Sequence, residues 1–492
     1  MSPCRRLLAV TLALALAACQ PVRNPARGTV EYSLMTPEQA RALAREEHPK
    51  VLARYGGAYD DRELSDYVAR IGLRVAAASD IPDEVFTFTL LDSPVVNAFA
   101  LPGYVYVTRG LLALADDEAE LAAVLAHEIG HVAARHVPER QQQLLGAGLV
   151  ALILGTLASA AVGGQEGELL GELASLGAAA YVAGFSREQE READRLALRY
   201  LARAGYDPAA LARILDALDG WERLQARLRG EDAAAVPEFL STHPSTPARV
   251  RAARRLAARL GPGEARRDIW LDRLDGLVFG DGPKQGFVRG RRFVHPVLRF
   301  RFEAPPGFRL TNRPDAVIGE GPGGRLLVFD MGEARPWEDP ADVLAREVEN
   351  RPVVRTGRYR TWHGYEAAVA ELSLDGREAW LAVLMDEERR VFRFLYAAPW
   401  LDGDERGRFL GVLDSFRTLA PGEARRVPVV RLRVMRVPRE GVRRLVRRVA
   451  VERLPLEHLL VLNHRRALRD FRPGERIKVP VRTRARERWW WE

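Results

Sequence analysis

Two histidines and a glutamate stand at a spacing that can hold a metal ion and activate water. They form the pattern HExxH within LAAVLAHEIGHVAARH, with the histidines at His127 and His131 and the acid at Glu128. On an α-helix, residues four apart are separated by about 40° around the axis, so both imidazoles can bind one ion. The neighbouring carboxylate could take a proton from water bound to that ion. Because HExxH alone is only moderately specific, the rest of the chain must decide its role.

A catalytic zinc bound by two histidines and a water needs one more protein ligand. A histidine six residues after His131 would fall at Val137, which is not a histidine. His136 lies about 180° around the helix from His127, so we expect it to face away from the ion. The third ligand must therefore come from another element.

The stretch GFSREQEREADRLALRYLARAG predicts a second helix with three candidate glutamates. Glu190 shares a face with Ala193 and Asp194, small or short residues that allow another helix to approach closely. Glu188 and Glu192 point to the opposite side. The geometry therefore favours Glu190 as the ligand, and Asp194 is placed to accept the second ring N–H of a ligating histidine.

A short sheet is expected just ahead of the metal helix. Strand-like runs at Val85–Leu91 and Tyr104–Thr108 flank a segment that could be an edge strand for substrate: Asn97, Ala98, Phe99, Ala100 and Leu101. In many zinc peptidases an open edge of this kind pairs with an extended substrate backbone. A strand that only packs in the sheet explains the pattern equally well.

Several separate motifs between about residues 36 and 260 resemble the motifs of a single protein family. HEIGH is followed by SREQEREAD, in the form S-R-x-x-E-x-x-A-D, and is preceded by NAFALPG and YVTRGLL. Together they resemble the M48 family of zinc metallopeptidases, in particular its periplasmic lipoprotein type. The resemblance implies one Zn2+ per chain, bound by His127, His131 and Glu190. It also implies Glu128 as the general base and Asp194 as the partner of a ligating histidine.

The resemblance also covers a Thr-His-Pro loop that contains His243. In peptidases of this type the matching histidine can occupy the fourth zinc position and hold the enzyme latent. A loop histidine that merely packs is the alternative interpretation. The chain departs from the family at Gly103, because the family usually reads LPGG here, and this leaves the register of the substrate strand open.

The N-terminus reads MSPCRRLLAVTLALALAACQPVRN, a basic start followed by an apolar run that is too short to cross a bilayer. We interpret residues 1–18 as a lipoprotein signal peptide, because the run ends in a sequence that resembles a lipobox. Cys19 would then be acylated and residues 19–35 would form a lipid-anchored tether. By the same resemblance, Gln20 after the cysteine favours the outer membrane of a Gram-negative cell.

The second half of the chain contains no cluster with catalytic spacing. Residues 265–420 predict a small α+β domain that weakly resembles PsbP/Mog1-like folds, with a scaffold or partner-binding role as the default. Residues 426–481 resemble a LysM module, although the Gly-Asp-Thr turn of that family is absent. Glycan binding and use as a docking element are equally compatible with this module, and residues 482–492 form a basic aromatic tail.

The overall expectation is an α+β protein, because 492 residues are too many for one hydrophobic core. A mainly helical zincin peptidase domain of the gluzincin type, residues 36–260, would carry a small edge-exposed sheet. The α+β domain and the LysM-like module would follow it. The formal charge of +8 is concentrated between Arg425 and Glu492, where 21 Lys and Arg face 7 Asp and Glu.

The function that the sequence predicts is a zinc-dependent endopeptidase of the bacterial cell envelope. Its substrates would be unfolded or misassembled envelope proteins. The protein would lie in the periplasm, attached to a membrane by its lipid anchor. The alternative is an outer-membrane assembly factor or chaperone with a largely latent protease site. A peptidoglycan hydrolase has only the LysM-like module in its favour, and an exported lipoprotein is not expected to bind nucleic acid.

Overall fold

The computed structural model describes residues 20–140, 184–229, 239, 242–243, 246–374, 377–400, 402–451 and 453–483. These residues belong to two compact units. The first comprises residues up to 52, 57–279 and 431–481, and the second comprises 53–56, 280–430 and the residues after 481. Both helices and several sheets are present, as expected for an α+β protein.

The first unit is mainly helical. Its principal helices are α1 (Pro37–Arg54), α2 (Arg62–Ala77), α3 (Arg109–Leu114), α4 (Glu118–Ala133), α5 (Arg187–Arg203), α6 (Ala209–Arg229), α7 (Pro247–Leu260) and α8 (Arg267–Leu274). The core forms where the apolar faces of α2, α4, α5 and α6 meet. The middle helix, α4, is buried along almost its whole length. A helix that is buried on all sides needs neighbours all round, and these helices provide them.

A three-stranded sheet lies ahead of α4, and two short strands open the described part of the chain. The sheet has the order β3 (Thr87–Leu91), β5 (Tyr104–Thr108), β4 (Ala98–Leu101), with β3 parallel and β4 antiparallel to β5. Strands β1 (Gln20–Arg23) and β2 (Val30–Ser33) form an antiparallel hairpin. This N-terminal hairpin, residues 20–33, lies within the segment for which the sequence predicted a tether.

The second unit is built on an antiparallel sheet of seven strands: β9 (Arg309–Asn312), β10 (Val317–Gly321), β11 (Arg325–Gly332), β12 (Val353–Arg360), β13 (Glu366–Leu374), β14 (Arg377–Met385) and β15 (Val391–Ala398). Their order in the sheet is β12-β13-β14-β15-β11-β10-β9. A smaller sheet of β6 (Phe287–Arg289), β7 (Arg292–His295), β8 (Phe300–Glu303) and β16 (Arg417–Thr418) accompanies it. Helices α9 (Pro340–Glu347), α10 (Gly403–Ser415) and α11 (Pro421–Ala424) complete the unit. Strands and helices are thus both present in the segment for which the sequence predicted an α+β domain.

The C-terminal segment has the order strand, helices, strand: β17 (Val429–Arg436), α12 (Arg443–Val446), α13 (Pro455–Leu462) and β18 (Arg476–Thr483). Residues 431–481 belong to the same compact unit as the metal helix. Lys478 is fully buried there, and its ammonium donates to the carbonyls of Ala113, Leu114 and Ala115 at 3.0, 3.0 and 2.7 Å. Identification of this segment as a LysM module stays a prediction, as do the predicted domain boundaries.

Three predicted features lie wholly or mainly outside the described residues. They are the signal peptide of residues 1–18, the lipidation site Cys19 and most of the tail of residues 482–492. Within the described part of the chain, no helix combines the length and apolar character needed to cross a membrane.

Candidate metal centre

Helix α4 presents His127, Glu128 and His131 from a rigid, buried position. Its N-cap is Asp117, whose side chain accepts a hydrogen bond from the backbone N–H of Glu120. Capping of this kind satisfies one of the free N–H groups of the first turn. All three site residues are at most 2% exposed. The helix therefore holds its polar side chains inside the core, where they need partners.

Helix α5 lies against α4 and brings Glu190 to the two histidines. It begins with a capping box in which Ser186 and Gln189 bond each other's backbone N–H groups. The approach is close at Gly130, where an added Cβ would lie 3.3 Å from the carbonyl oxygen of Ala193. Ala193 belongs to the small-residue face predicted for α5, whereas the glycine opposite it on α4 was not predicted. Together these two small residues explain how a carboxylate on α5 reaches imidazoles on α4.

The structure brings four side chains, those of His127, His131, Glu190 and His243, close enough to share one metal ion. Their ligand atoms all lie within 4.8 Å of one another. Nε2 of His127 is 3.0 Å from Nε2 of His131 and 3.3 Å from Nδ1 of His243. Oε1 of Glu190 is 2.8 Å from Nδ1 of His243 and 3.4 Å from Nε2 of His131.

These separations fit zinc. Ligand atoms placed tetrahedrally about Zn2+ at 2.0–2.1 Å lie roughly 3.3 Å from one another. Three imidazoles and one carboxylate are also the donor types that zinc prefers. In addition, Oε1 of Glu128 is buried with no hydrogen-bond partner among the described residues, and Nε2 of His243 lies 3.6 Å from it. A buried carboxylate oxygen of this kind is suited to accept a proton from water or substrate.

His243 reaches the site from the loop before α7. Its ring stacks on Phe239 with a centroid distance of 4.9 Å, and its backbone N–H donates to the carbonyl of Phe239. Phe185, which precedes α5, lies 4.0 Å from the ring of His131 and 5.2 Å from that of His243. Aromatic packing therefore holds the fourth side chain in place at the cluster.

Burial and close contacts shift the protonation of the cluster in different directions. Burial raises the pKa of Glu128 and lowers that of His131 well below its usual value. For His127, burial would lower the pKa, but hydrogen bonds with Asp194 and Glu190 outweigh it and raise the pKa to about 10. Contacts with the three histidines hold the pKa of Glu190 well below its usual range despite burial. Glu190 is therefore ionised, as a metal ligand must be.

Asp194 occupies the position predicted beside a ligating histidine, with Oδ1 3.2 Å from Nδ1 of His127. Its other partner, Arg249 on α7, was not predicted from the sequence. The Arg249 guanidinium donates to both oxygens of Asp194 at 2.8 and 2.7 Å, and its Nη1 lies 2.6 Å from Oε2 of Glu190. Arg249 follows the N-cap Thr246 by three residues, but no spacing rule relates it to α5. Only the packing of α7 on α5 brings these residues together.

The expectation that His136 faces away from the ligands is wrong. Helix α4 ends at Ala133, and Arg135 adopts a left-handed backbone with φ 58°. This turn brings His136 back against the metal helix, where its Nδ1 lies 2.9 Å from Nδ1 of His131. Extrapolation around the helical wheel failed because the helix stops before His136. The residue is nevertheless not one of the four clustered ligands.

The predicted substrate strand lies at one edge of the three-stranded sheet. Its core, Ala98–Leu101, is β4, which pairs with β5 on one side. The ring of Phe99 stacks on Tyr106 with a centroid distance of 4.9 Å. Gly103 forms the tight β4–β5 turn with φ 84°, a conformation that favours glycine. A single glycine therefore suffices to close this turn.

Comparison with known proteins agrees with this geometry. Residues 63–257 match the family model described as "Peptidase family M48". The chain is 35% identical over 211 residues to the beta-barrel assembly-enhancing protease of Yersinia pestis, covering 41% of this chain and 40% of that protein. It is 32% identical over 210 residues to the protein of the same name in Escherichia coli K12, covering 41% of each.

Mitochondrial metalloendopeptidase OMA1 of Schizosaccharomyces pombe is 33% identical over 218 residues, covering 43% of this chain and 59% of that protein. The chain thus spans about 40% to 59% of the length of these three relatives. The solved structure of cyanobacterial PsbP from Synechocystis sp. PCC 6803 is 13% identical, covers 28% of this chain and 98% of its own, and gives a TM-score of 0.20, which is too low to assign a fold.

The match to the family model extends from α2 to α7 and includes all four clustered side chains. The helices that carry the HExxH pattern, the third ligand and Arg249 all fall within it. Residues 63–257 therefore match peptidase family M48, a family of zinc-dependent metallopeptidases, and the matched range includes the whole candidate metal centre.

Proposed function

We propose that this chain is a zinc-dependent endopeptidase of the bacterial cell envelope that cleaves unfolded or misassembled envelope proteins. The observation that carries the proposal is the buried group of His127, His131 and Glu190 with Glu128 beside it. Two of the relatives are named beta-barrel assembly-enhancing proteases, which supports envelope proteins as the substrates.

His127, His131 and Glu190 would hold the zinc ion. When bound, zinc supplies Lewis acidity, which polarises a scissile carbonyl and lowers the pKa of water. Glu128 takes the proton from the attacking water as the new C–O bond forms, and then passes it to the departing amine as the C–N bond breaks. Asp194 keeps His127 in one tautomer by accepting its Nδ1–H.

An extended substrate would add to β4 at the edge of the sheet. Backbone pairing of this kind gives affinity without demanding a particular sequence, which suits a protease of unfolded chains. Beside His131 there is a cavity of about 170 Å³, with Pro25, Pro102, Val132 and Val137 among its lining residues. A cavity of about 150 Å³ holds a benzene ring. The cavity would therefore receive one apolar side chain of the substrate.

His243 would keep the site latent. A catalytic zinc keeps one coordination position for water, whereas four protein ligands close the site. In this structure Nδ1 of His243 lies among the other three ligand atoms. Release of the loop that carries His243 would open the fourth position. The second candidate function, an assembly factor with a largely latent protease, draws its support from this arrangement.

The test compares cleavage of an unfolded protein by four zinc-loaded proteins: wild type, Glu128→Gln, His243→Ala and the control His363→Ala. We expect about one zinc per chain, slow cleavage by wild type and the His363 control, and at least tenfold faster cleavage by His243→Ala. Glu128→Gln should bind zinc and cleave nothing. If zinc-loaded wild type and His243→Ala are both inactive, the peptidase proposal fails and the assembly-factor role takes its place.

Two further parts of the proposal concern where the protein is anchored and what its C-terminal segment does. Acyl chains on Cys19 would anchor the protein in the outer membrane, and loss of membrane association in Cys19→Ala would test this. For the LysM-like segment we propose a docking role within the peptidase unit, because buried Lys478 bonds three carbonyls of that unit. Binding of the chain to purified peptidoglycan sacculi would instead favour glycan recognition.

A further inference from the structure

The N-terminal hairpin caps the end of the metal helix. Asn24 is fully buried, and its side-chain amide donates to the carbonyl of Ala134 at 3.0 Å. The backbone N–H of Ala26 donates to the carbonyl of Ala133. The last carbonyls of a helix have no partners within the helix, so these two bonds satisfy groups that would otherwise lack them. The segment that directly follows Cys19 is thus packed against the element that carries the metal ligands.

The hairpin also reaches the neighbouring helix through Arg27. Its guanidinium makes two bonds to the carboxylate of Glu192 on α5, at 2.9 and 2.6 Å. Paired bonds of this kind fix the orientation of both groups. Arg27 therefore joins the hairpin to the helix that carries Glu190, the third ligand.

From Glu192 the contacts continue to the metal site. Nε2 of His136 lies 3.0 Å from Oε2 of Glu192, and its Nδ1 lies 2.9 Å from Nδ1 of His131. His136 is fully buried. With a metal ion on Nε2 of His131, Nδ1 of this ring would carry the hydrogen and would donate it to Nδ1 of His136. His136 would then donate its own Nε2–H to the Glu192 carboxylate, so that the position of each proton along the series is fixed.

We propose that His136 is a positioning residue that fixes the ring and tautomer of the metal ligand His131, supported in turn by Glu192 and Arg27. The proposal rests on the zinc site of the proposed function. In this arrangement His136 supports His131 as Asp194 supports His127. The contacts through Glu192 and Arg27 make the N-terminal hairpin part of the metal site. The left-handed backbone at Arg135, a conformation that non-glycine residues seldom adopt, is what turns His136 into this position.

The test measures zinc affinity by chelator competition, together with the visible spectrum of the Co2+ form, on the purified full-length chain. His136→Leu removes the acceptor, and we expect zinc affinity to fall about 10- to 100-fold, with shifted Co2+ bands. His136→Asn keeps an acceptor near the Nδ1 position and should restore affinity to within about threefold of wild type. Arg27→Ala and Glu192→Gln should weaken binding by smaller factors, whereas exposed Glu188→Ala, the control on α5, should have no effect.

Wild-type zinc affinity and an unchanged Co2+ spectrum in His136→Leu would overturn the inference. Equal losses in His136→Leu and His136→Asn, matched by equal losses in thermal stability of the metal-free proteins, would also overturn it in favour of a purely structural role. Failure of wild type to bind zinc would instead contradict the proposed function. The two failures are therefore distinguishable.

Discussion

Nη1 of Arg249 lies 2.6 Å from Oε2 of Glu190, and the rest of the same guanidinium bonds both oxygens of Asp194. One arginine on α7 thus holds the third ligand and the partner of His127 at once. Although burial would raise the pKa of Asp194, the bonds from Arg249 and His127 hold it below its usual range. The carboxylate therefore stays an acceptor for His127.

Replacement of Arg249 by lysine should weaken zinc binding although the charge is kept. Lysine is a point charge and cannot span two carboxylates as a planar guanidinium does. We expect the zinc dissociation constant to rise about 10- to 100-fold. Chelator competition measures it, with exposed Arg251→Lys on the same helix as the control. Equal affinities in the two variants would contradict this role for Arg249.

Substitution of Gly130 by alanine should favour helix formation but weaken metal binding. Alanine is the better helix former by about 1 kcal/mol, but its Cβ would lie 3.3 Å from both the carbonyl oxygen of Ala193 and Cβ of Leu196. Helix α5 must then shift by a few tenths of an ångström, and Glu190 shifts with it. We expect Gly130→Ala to lower zinc affinity several-fold and Gly130→Val to lower it further.

The matched control for that experiment is Gly411→Ala. Gly411 lies within helix α10, and an added Cβ would meet no atom within 4 Å. This variant should raise the midpoint of thermal unfolding of the second unit without altering zinc affinity. A Gly130→Ala protein that binds zinc like wild type would show that the close contact between α4 and α5 does not set the ligand geometry.

Replacement of Lys478 by methionine should destabilise the peptidase unit. The variant keeps most of the side-chain volume but removes the ammonium donor from the carbonyls of Ala113, Leu114 and Ala115. Ala115 keeps the bond from the Trp270 indole, and Leu114 keeps its contact with His464, so the carbonyl of Ala113 is the one most affected. A buried carbonyl without a partner costs about 1–3 kcal/mol, so we expect a loss of about 1–3 kcal/mol in the free energy of unfolding. Denaturant unfolding measures it, and Lys50→Met is the control because that side chain is exposed. An unchanged free energy would show that the C-terminal segment is not part of this folding unit.

The same lysine predicts a dependence on pH. Burial lowers the pKa of Lys478 to about 8, whereas the ordinary value is 10.5. Between these values the unfolded chain binds more protons than the folded chain, so the contribution of Lys478 to the free energy of unfolding increases as the pH rises. The stability difference between wild type and Lys478→Met should therefore grow by roughly 2 kcal/mol from pH 8 to pH 10. A constant difference across that range would contradict the lowered pKa.

Local spacing predicted much of the metal site. Two histidines four residues apart share a helix face, and the small residues beside Glu190 mark a face that another helix can approach. Both rules depend only on regular helix geometry, so they hold wherever the helix continues. They fail at His136, because α4 ends at Ala133 and a left-handed residue redirects the chain.

Contacts between distant segments could not be predicted in the same way. Arg249 and Asp194 are 55 positions apart in sequence, and Arg27 and Glu192 are 165 apart. A single sequence contains no pattern that relates such pairs. The hairpin of residues 20–33 was missed for a related reason, since its strands are only four residues long, too short for a pattern of apolar side chains to identify them.

The position of the hairpin also limits the distance between the metal helix and a membrane to which Cys19 would be anchored. Asn24, which caps the metal helix, follows Cys19 by five residues, and an extended chain covers at most about 3.5 Å per residue. Acyl chains on Cys19 would therefore hold the end of α4 within about 18 Å of the lipid headgroups. At that height the enzyme would act on segments lying close to the bilayer surface, and chains in the open periplasm would have to come to the membrane to be cut.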